Sequence, residues 1–486
     1  MAVLSGLEPK TVFDYFERLC AVPHGSGNTK QISDLCVGFA EALGLRYRQD
    51  AVNNLIIWKD ASPGMGAAEP VILQGHMDMV CAKAPDCTKD MAKEGLDLAT
   101  DGEWVWAEKT SLGGDNCIAV AMILAILADS SLVHPPLEAV FTVDEEVGMD
   151  GAFALDCSDL KGRQLVNIDS EDEGIFTVSC AGGVRTDCYL PAQKKPLTGE
   201  TCCKIVLSGL RGGHSGVDID KGRCSANRLM ARVLYSACEN IPGLRLSALA
   251  GGEFDNVICP HCEAVAAVPA AEKEKLFTFV ESFAVSLQNE YAGCGEKGLS
   301  LTCEAADADA ALSAAATMQA LRLLMVLPQG VQEMSYDFPG LVQTSVNQGV
   351  LRLEEDGLHV TASIRSCIAS QKAMVLQQVQ AAAALAGAEV SAHSDYPGWQ
   401  FARESALRER MLAAYRALSG KEGEVEAIHA GLECGLFVEK LPGLDAISLG
   451  PDLRDVHSIN ERLNVASTAR VYELVRRFLQ DSAAAR

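Results

Sequence analysis

Apolar residues recur at helical spacing over 9–22, and Pro23-His24-Gly25-Ser26-Gly27-Asn28 then breaks the pattern. His24 reads as a loop residue, and Ser26 or Asn28 is placed to cap a second helix over 30–43. Short β-rich pieces at 45–50, 54–59 and 71–74 come next. A strand-like EWVWAEK at 103–109 leads into Ser111-Leu112-Gly113-Gly114-Asp115 and an apolar helix over 118–127, and further strands are predicted at 137–143 and 164–168. Helices alternating with apolar strands predict an α/β fold with a mixed sheet.

The texture changes near residue 185. A strand over 203–210, a helix over 224–238, a strand over 264–268 and a helix over 272–290 form one series. The second series has a strand over 299–305, a helix over 311–326, strands running through Ile364, and a helix over 371–386. This order predicts two β-α-β-β-α units of ferredoxin-like type in tandem, of which only the first carries Gly212-Gly213-His214-Ser215-Gly216. After Tyr396-Pro397-Gly398-Trp399 the first texture returns, with helices over 405–419 and 465–479 and a strand over 446–449. The predicted organisation is one domain made of 1–185 and 398–486, with an α+β domain inserted at 186–397.

Chemistry gathers where the apolar strands stop. The run Val71-Ile72-Leu73-Gln74-Gly75 ends in His76, with Asp78 two residues on, a spacing that can aim an imidazole and a carboxylate at one place. The strand at 137–143 runs into Asp144-Glu145-Glu146, adjacent carboxylates that are costly unless cations or protons neutralise them. The strand at 164–168 stops at Asp169, and the apolar helix opens at Asp115, a position that also suits an N-cap. In open α/β sheets, sites form at the carboxyl ends of the strands. Together with His457, in Asp455-Val456-His457-Ser458, these residues offer two imidazoles and three carboxylates, a set that suits two zinc-like cations sharing one carboxylate. Glu145 is then left over as a general base.

Composition narrows the reading. A formal net charge of −24 argues against nucleic acid, whose phosphates want the opposite sign. Eighteen cysteines without framework spacing read as free thiols in a reducing compartment, and Cys259-Pro-His-Cys262 lacks the second pair that a structural zinc site needs. The first residues carry no basic segment followed by an apolar run, and no apolar stretch is long enough to span a membrane. The expectation is a cytoplasmic protein with no membrane partner.

The ordered motifs L-Q-G-H-M-D-M-V, S-L-G-G-D-N, D-E-E-V-G, N-I-D-S-E, H-A-G-L-E-C-G and D-V-H-S resemble those of the dizinc peptidases related to aminoacylase and glutamate carboxypeptidase. Within them, the chain looks most like the aminoacyl-histidine dipeptidase (Xaa-His dipeptidase, carnosinase-like) branch. The resemblance implies that His76 and Asp169 hold one metal ion, that Glu146 and His457 hold the other, and that Asp115 bridges them. It implies zinc, with cobalt or manganese also suited to the ligands. Asp78 would orient His76, and Glu145 would take a proton from a water shared by the cations and return it to the leaving amine. A cis peptide at Asp115–Asn116 is implied as well.

The insert at 186–397 would be a substrate-recognition lid. There His214 would stabilise the oxyanion, and Arg365 would grip the substrate's C-terminal carboxylate, with Asn256 as a further contact. Single-lid relatives take the equivalent of His214 from a dimer partner. A doubled lid lets one chain supply its own, so both monomer and homodimer are compatible. Glu433 is expected either to meet the substrate's amino group or to support residues that touch the metals. The implied activity is hydrolysis of dipeptides such as carnosine. The alternatives are hydrolysis of N-acyl amino acids or other dipeptides, and a metal-binding protein without catalysis.

Overall fold

The strand Val71–His76 is buried along its whole length, because it lies inside an eight-stranded sheet. In the computed structural model, which describes residues 3–484, it runs parallel to Leu137–Thr142 on one side and to Gln164–Asn167 on the other. Asp445–Ser448 adds a further parallel strand beside Gln164–Asn167, and Leu55–Lys59 pairs antiparallel with Leu137–Thr142. Strands with both faces covered need apolar side chains on both, which is why these segments read as continuous hydrophobic runs rather than alternating ones. The helix Gly114–Ala128 packs on Val71–His76 and is buried on every side from Asn116 to Leu127. A helix apolar all round is a core helix, and among the described residues no helix is long and apolar enough to cross a membrane.

These elements belong to the first of two units, built from the chain up to Ser179 together with Phe401–Ala427 and the chain from Leu432 onward. The same unit carries a four-stranded sheet in the order Leu453–Arg454, Arg462–Asn464, Trp104–Ala107, Leu98–Thr100. The second unit is Cys180–Gln400 with Ile428–Gly431.

The second unit is one nine-stranded sheet assembled from two ferredoxin-like halves. In the first half the order is Ser300–Ala306, Glu200–Ser208, Cys262–Pro269, Arg245–Gly251, with helices Ala226–Asn240 and Lys273–Glu290. In the second it is Val342–Leu353, Gly357–Ser366, Gly182–Pro191, Glu389–Tyr396, with helices Ala314–Val326 and Ala369–Ala386, and the ninth strand, Gly330–Met334, pairs antiparallel with Val342–Leu353 off this path. The strand near 300, expected to open the second series, instead closes the first half by pairing antiparallel with Glu200–Ser208. The second half takes its opening strand from Gly182–Pro191, paired with Gly357–Ser366. The first half is therefore threaded into the second, in the connection between its first strand and first helix. That explains why the glycine-histidine loop occurs once: its counterpart is where the other half was inserted. Periodicity reports that a segment is a strand, but hydrogen-bond partners are a long-range choice it does not encode.

The helix Lys30–Ala42 also departs from expectation, since neither Ser26 nor Asn28 caps it. Its N-cap is Thr29, with no side-chain cap bond. Ser26 Oγ donates instead to Asp78, and Asn28 Nδ2 to the carbonyl of Ala92.

Candidate metal centre

Five side chains from five places in the first unit converge. His76 ends its strand, Glu146 lies just past Leu137–Thr142, Asp169 just past Gln164–Asn167, and Asp115 in the first turn of Gly114–Ala128. His457 sits between Leu453–Arg454 and Arg462–Asn464, strands that pair with each other and so hold the connection as a tight loop. The register sets the level: His76 is opposite Thr142 and Gln74 opposite Asn167, so the parallel strands stop at nearly the same height. The residues just beyond each strand are thereby delivered to one edge, as parallel sheets characteristically do.

Asp115 joins the two histidines. Its Oδ1 is 3.2 Å from His76 Nε2, and its Oδ2 is 3.2 Å from His457 Nε2. Asp169 Oδ1 lies 3.5 Å from His76 Nε2, and Glu146 Oε1 lies 3.0 Å from His457 Nε2. Two ligand atoms about 2.1 Å from a tetrahedral cation stand about 3.4 Å apart, so each pair is spaced as neighbours around one ion. The donors form three overlapping sets, His76–Asp115–Asp169, Asp115–Glu146–His457 and His76–Glu145–Glu146, of which the first two share Asp115. Glu146 Oε1 is buried, an acceptor that a cation would satisfy. The residues fit two divalent cations.

A supporting layer aims these donors. The Nδ1 of His76 is 3.1 Å from the main-chain oxygen of Asp78 and 3.4 Å from its carboxylate, which leaves Nε2 to face the cluster. The Asp78 carboxylate in turn accepts from the main-chain N–H groups of Glu145 (3.1 Å) and Glu146 (3.3 Å) and from Ser26 Oγ (2.8 Å). One buried carboxylate thus steadies the histidine, the acidic loop and the early glycine-rich loop. Asn116 Oδ1 accepts from the His76 main-chain N–H while its Nδ2 donates to the carbonyl of Ile168, and the Asp115–Asn116 peptide is cis. Glu461, 2% exposed, receives the main-chain N–H groups of Leu112, Gly113 and Asp115. The sequence placed Ser26 as a helix cap and Asn116 in a cis peptide but gave neither its supporting bond, and Glu461 was not singled out, because the backbone groups it satisfies are some 350 residues away in sequence.

Without cations, protons carry the charge balance. Burial works against a charged His76, but Asp169, Asp115 and Asp78 outweigh it and hold the imidazole well above its ordinary value. Hydrogen bonds to Asp115 and Glu146 raise His457 to about 11. Burial raises Asp169 to about 6, against the pull of His76 and with repulsion from Asp115 and Glu146. Metal ligation needs neutral imidazoles, so cation binding must expel these protons. Both shifts favour protonated imidazoles in the metal-free protein. Filling the centre should release about two protons, and affinity should fall as pH drops. Calorimetry in buffers of different ionisation enthalpy measures the release, and a count near zero would contradict the ligand assignment.

Glu145 lies beside the two sets that share Asp115, its Oε2 4.0 Å from His76 Nε2. Burial lifts its carboxyl well above the usual range, His76 opposes, and repulsion from Asp169, Glu433 and Glu146 adds to the rise. Glu433 is wholly buried. Its Oε2 accepts from Gln74 Nε2 (2.5 Å) and Thr142 Oγ1 (2.7 Å), its Oε1 has no hydrogen-bond partner, and burial pushes it up to about 7.

The remaining candidates gather within the second unit. His214 bridges to Val257, and the main-chain N–H of Ser215 donates to the carbonyl of Asn256. Arg365, on Gly357–Ser366, lies near enough to both His214 and His429 to disfavour their charged forms. Its Nη1 contacts the Tyr396 hydroxyl at 3.1 Å, and its Nε is buried without a partner. His429 Nε2 meets Ser345 Oγ at 2.7 Å, and burial with Arg365 lowers His429 to about 3. His429 stood in the H-A-G-L-E-C-G motif but drew attention only to Glu433. Ser345 and Tyr396 left no signal, since a lone hydroxyl has no characteristic spacing.

Two cation positions at the carboxyl ends of a mixed α/β sheet, with a further carboxylate, Glu145, alongside, define a metal-dependent hydrolase. Residues 72–481 match Peptidase family M20/M25/M40. The chain is 38% identical over 484 residues to the cytosol non-specific dipeptidase of Escherichia coli (strain K12), covering 99% of each. Its structure is similar to that of aminoacylhistidine dipeptidase from Vibrio alginolyticus, with a TM-score of 0.91 and 35% identity over 98% of both chains. Aminopeptidase PepT from Bacillus cereus shares the fold at 16% identity, with a TM-score of 0.58 over 99% of this chain and all of that one. The chain belongs to peptidase family M20/M25/M40 and is a metallopeptidase.

Proposed function

We propose that this chain is a cytoplasmic dipeptidase that uses two zinc ions and accepts Xaa-His dipeptides such as carnosine. The observation that carries the reading is Asp115, whose two carboxylate oxygens each face a different histidine with Glu145 beside them. Its full-length likeness to two dipeptidases supports the substrate class. When bound, the cations supply Lewis acidity for the scissile carbonyl and make water acidic enough to be deprotonated near neutral pH. Glu145 accepts the proton of the attacking water and delivers it to the leaving amine. Asp78 keeps His76 turned so that Nε2 is the donor.

In the same proposal the second unit serves as the recognition unit. Arg365 takes the C-terminal carboxylate with a guanidinium that still has an unpaired N–H, Asn256 adds a polar contact, and His214 donates to the oxyanion. Glu433 answers the amino end, its unpartnered Oε1 being the acceptor a substrate ammonium would satisfy.

The test is a panel of β-Ala-His, Gly-His, Leu-Leu and an N-acetyl amino acid, assayed with zinc, manganese and cobalt in turn. Dipeptides with a free amino end should be hydrolysed, histidine-ended ones included, and the acetylated compound should be left almost untouched. Preference for the acetylated compound would convert the reading to an acylase. A protein that binds both cations and hydrolyses nothing would reduce it to a metal-binding one.

A further inference from the structure

His214 is held by its own loop in a way that decides which ring nitrogen carries the proton. The main-chain N–H groups of Gly216 and Val217 both point at Nδ1, at 3.2 and 3.3 Å. A ring nitrogen that accepts hydrogen bonds cannot carry a hydrogen, so the neutral imidazole must be protonated at Nε2. Protonating Nδ1 would set a third N–H against the other two and forfeit both bonds.

The loop is built to keep this arrangement. Asp218 Oδ2 receives the His214 main-chain N–H at 2.9 Å, and the Asp218 N–H returns to the His214 carbonyl at 3.0 Å. On the far side, the Ile258 N–H donates to the carbonyl of Gly213 at 2.9 Å. Gly216 leaves room for the ring: a Cβ there would stand 2.9 Å from His214 Cε1 and 2.5 Å from the carbonyl oxygen of His429. The charged and titratable groups facing His214 are Arg365 and His429, which oppose a charge on it, and Asp218, which favours one. Burial and Arg365 prevail and lower His214 below the ordinary imidazole value.

We propose that the Gly216 and Val217 amides lock His214 as the Nε2–H tautomer, so that the ring offers its target a hydrogen-bond donor and never an acceptor. Gly216 and Val217 are positioning residues, acting through His214. The inference deepens the peptidase reading and rests on it only for what the donor serves, an oxygen that gains negative charge during acyl transfer. A histidine free to exchange tautomers would present a lone pair part of the time and repel that oxygen.

The test is long-range proton–nitrogen NMR of the full chain with zinc and 15N-labelled histidine, in which His214 is assigned by the signal lost in His214→Gln. His214 should show the Nε2–H pattern at neutral pH and keep it well below pH 6.5. An Nδ1–H pattern, an averaged one, or an ordinary titration midpoint would overturn the lock whatever the enzyme hydrolyses. Conversely, the Nε2–H pattern in a protein inactive on every dipeptide would leave the lock standing and defeat the peptidase reading. Val217→Pro removes one of the two N–H groups at a position 54% exposed. It should give tautomer averaging and move the midpoint up, carrying the acid limb of kcat with it while KM changes little. Val217→Ala keeps the N–H and should keep the tautomer. If the proline variant folds and its spectrum is unchanged, the amides are not the cause. If it does not fold, the wild-type spectrum alone decides.

Discussion

Glu145→Ala should bind both cations as the wild type does and hydrolyse dipeptides slower by about 10²–10⁴-fold, the range for losing a general base or acid. The two donor sets that share Asp115 are complete without Glu145, so its loss removes no ligand from either. It does remove a carboxylate beside the cluster whose Oε2 lies 4.0 Å from His76 Nε2. Substrate affinity should change little, so the loss should fall on kcat. Metal content by elemental analysis, read alongside steady-state rates, checks it. Near-wild-type turnover with both metals in place would remove Glu145 from the mechanism.

Asp115→Ala should have the opposite signature, losing metal first and activity as a consequence. Both of its oxygens are engaged, one toward each histidine. Burial alone would raise the carboxyl, but hydrogen bonds from His457 and His76 hold it well below the usual range. Alanine takes a ligand from both sets at once. The affinity lost should exceed the about 10–100-fold typical of removing an outer partner of a ligand, and the two cations should leave together rather than one at a time. Metal content after dialysis, with and without excess zinc, distinguishes the outcomes. Two tightly held cations in the variant would show that the donor sets do not share this residue.

These two outcomes were nearly legible in the chain, for a physical reason. Strands with both faces buried must be apolar, so a carboxylate or imidazole at the end of the run or within a few residues past it stands out, as His76, Glu145, Glu146 and Asp169 do. The parallel sheet then brings those ends together without any further instruction. His457 had no such marker. It was recognised only through motif order, because its position depends on the small sheet that pairs Arg462–Asn464 with Trp104–Ala107.

The order of residues alone carried the alternation of helix and strand and the residue types that ligate cations. These are set by burial and local geometry, which leave a period or a punctuation mark in the chain. The expected boundary at 185, by contrast, falls inside the strand Gly182–Pro191 of a unit that begins at Cys180. Strand pairing was settled only in the folded chain, where Ser300–Ala306 closes the first half of the second unit while Gly182–Pro191 opens the other. So were the supporting bonds of Ser26, Asn116 and Glu461, and the direction of the Gly216 and Val217 amides toward His214. Hydrogen bonds of this kind depend on where the backbone goes. No local pattern of side chains records that path.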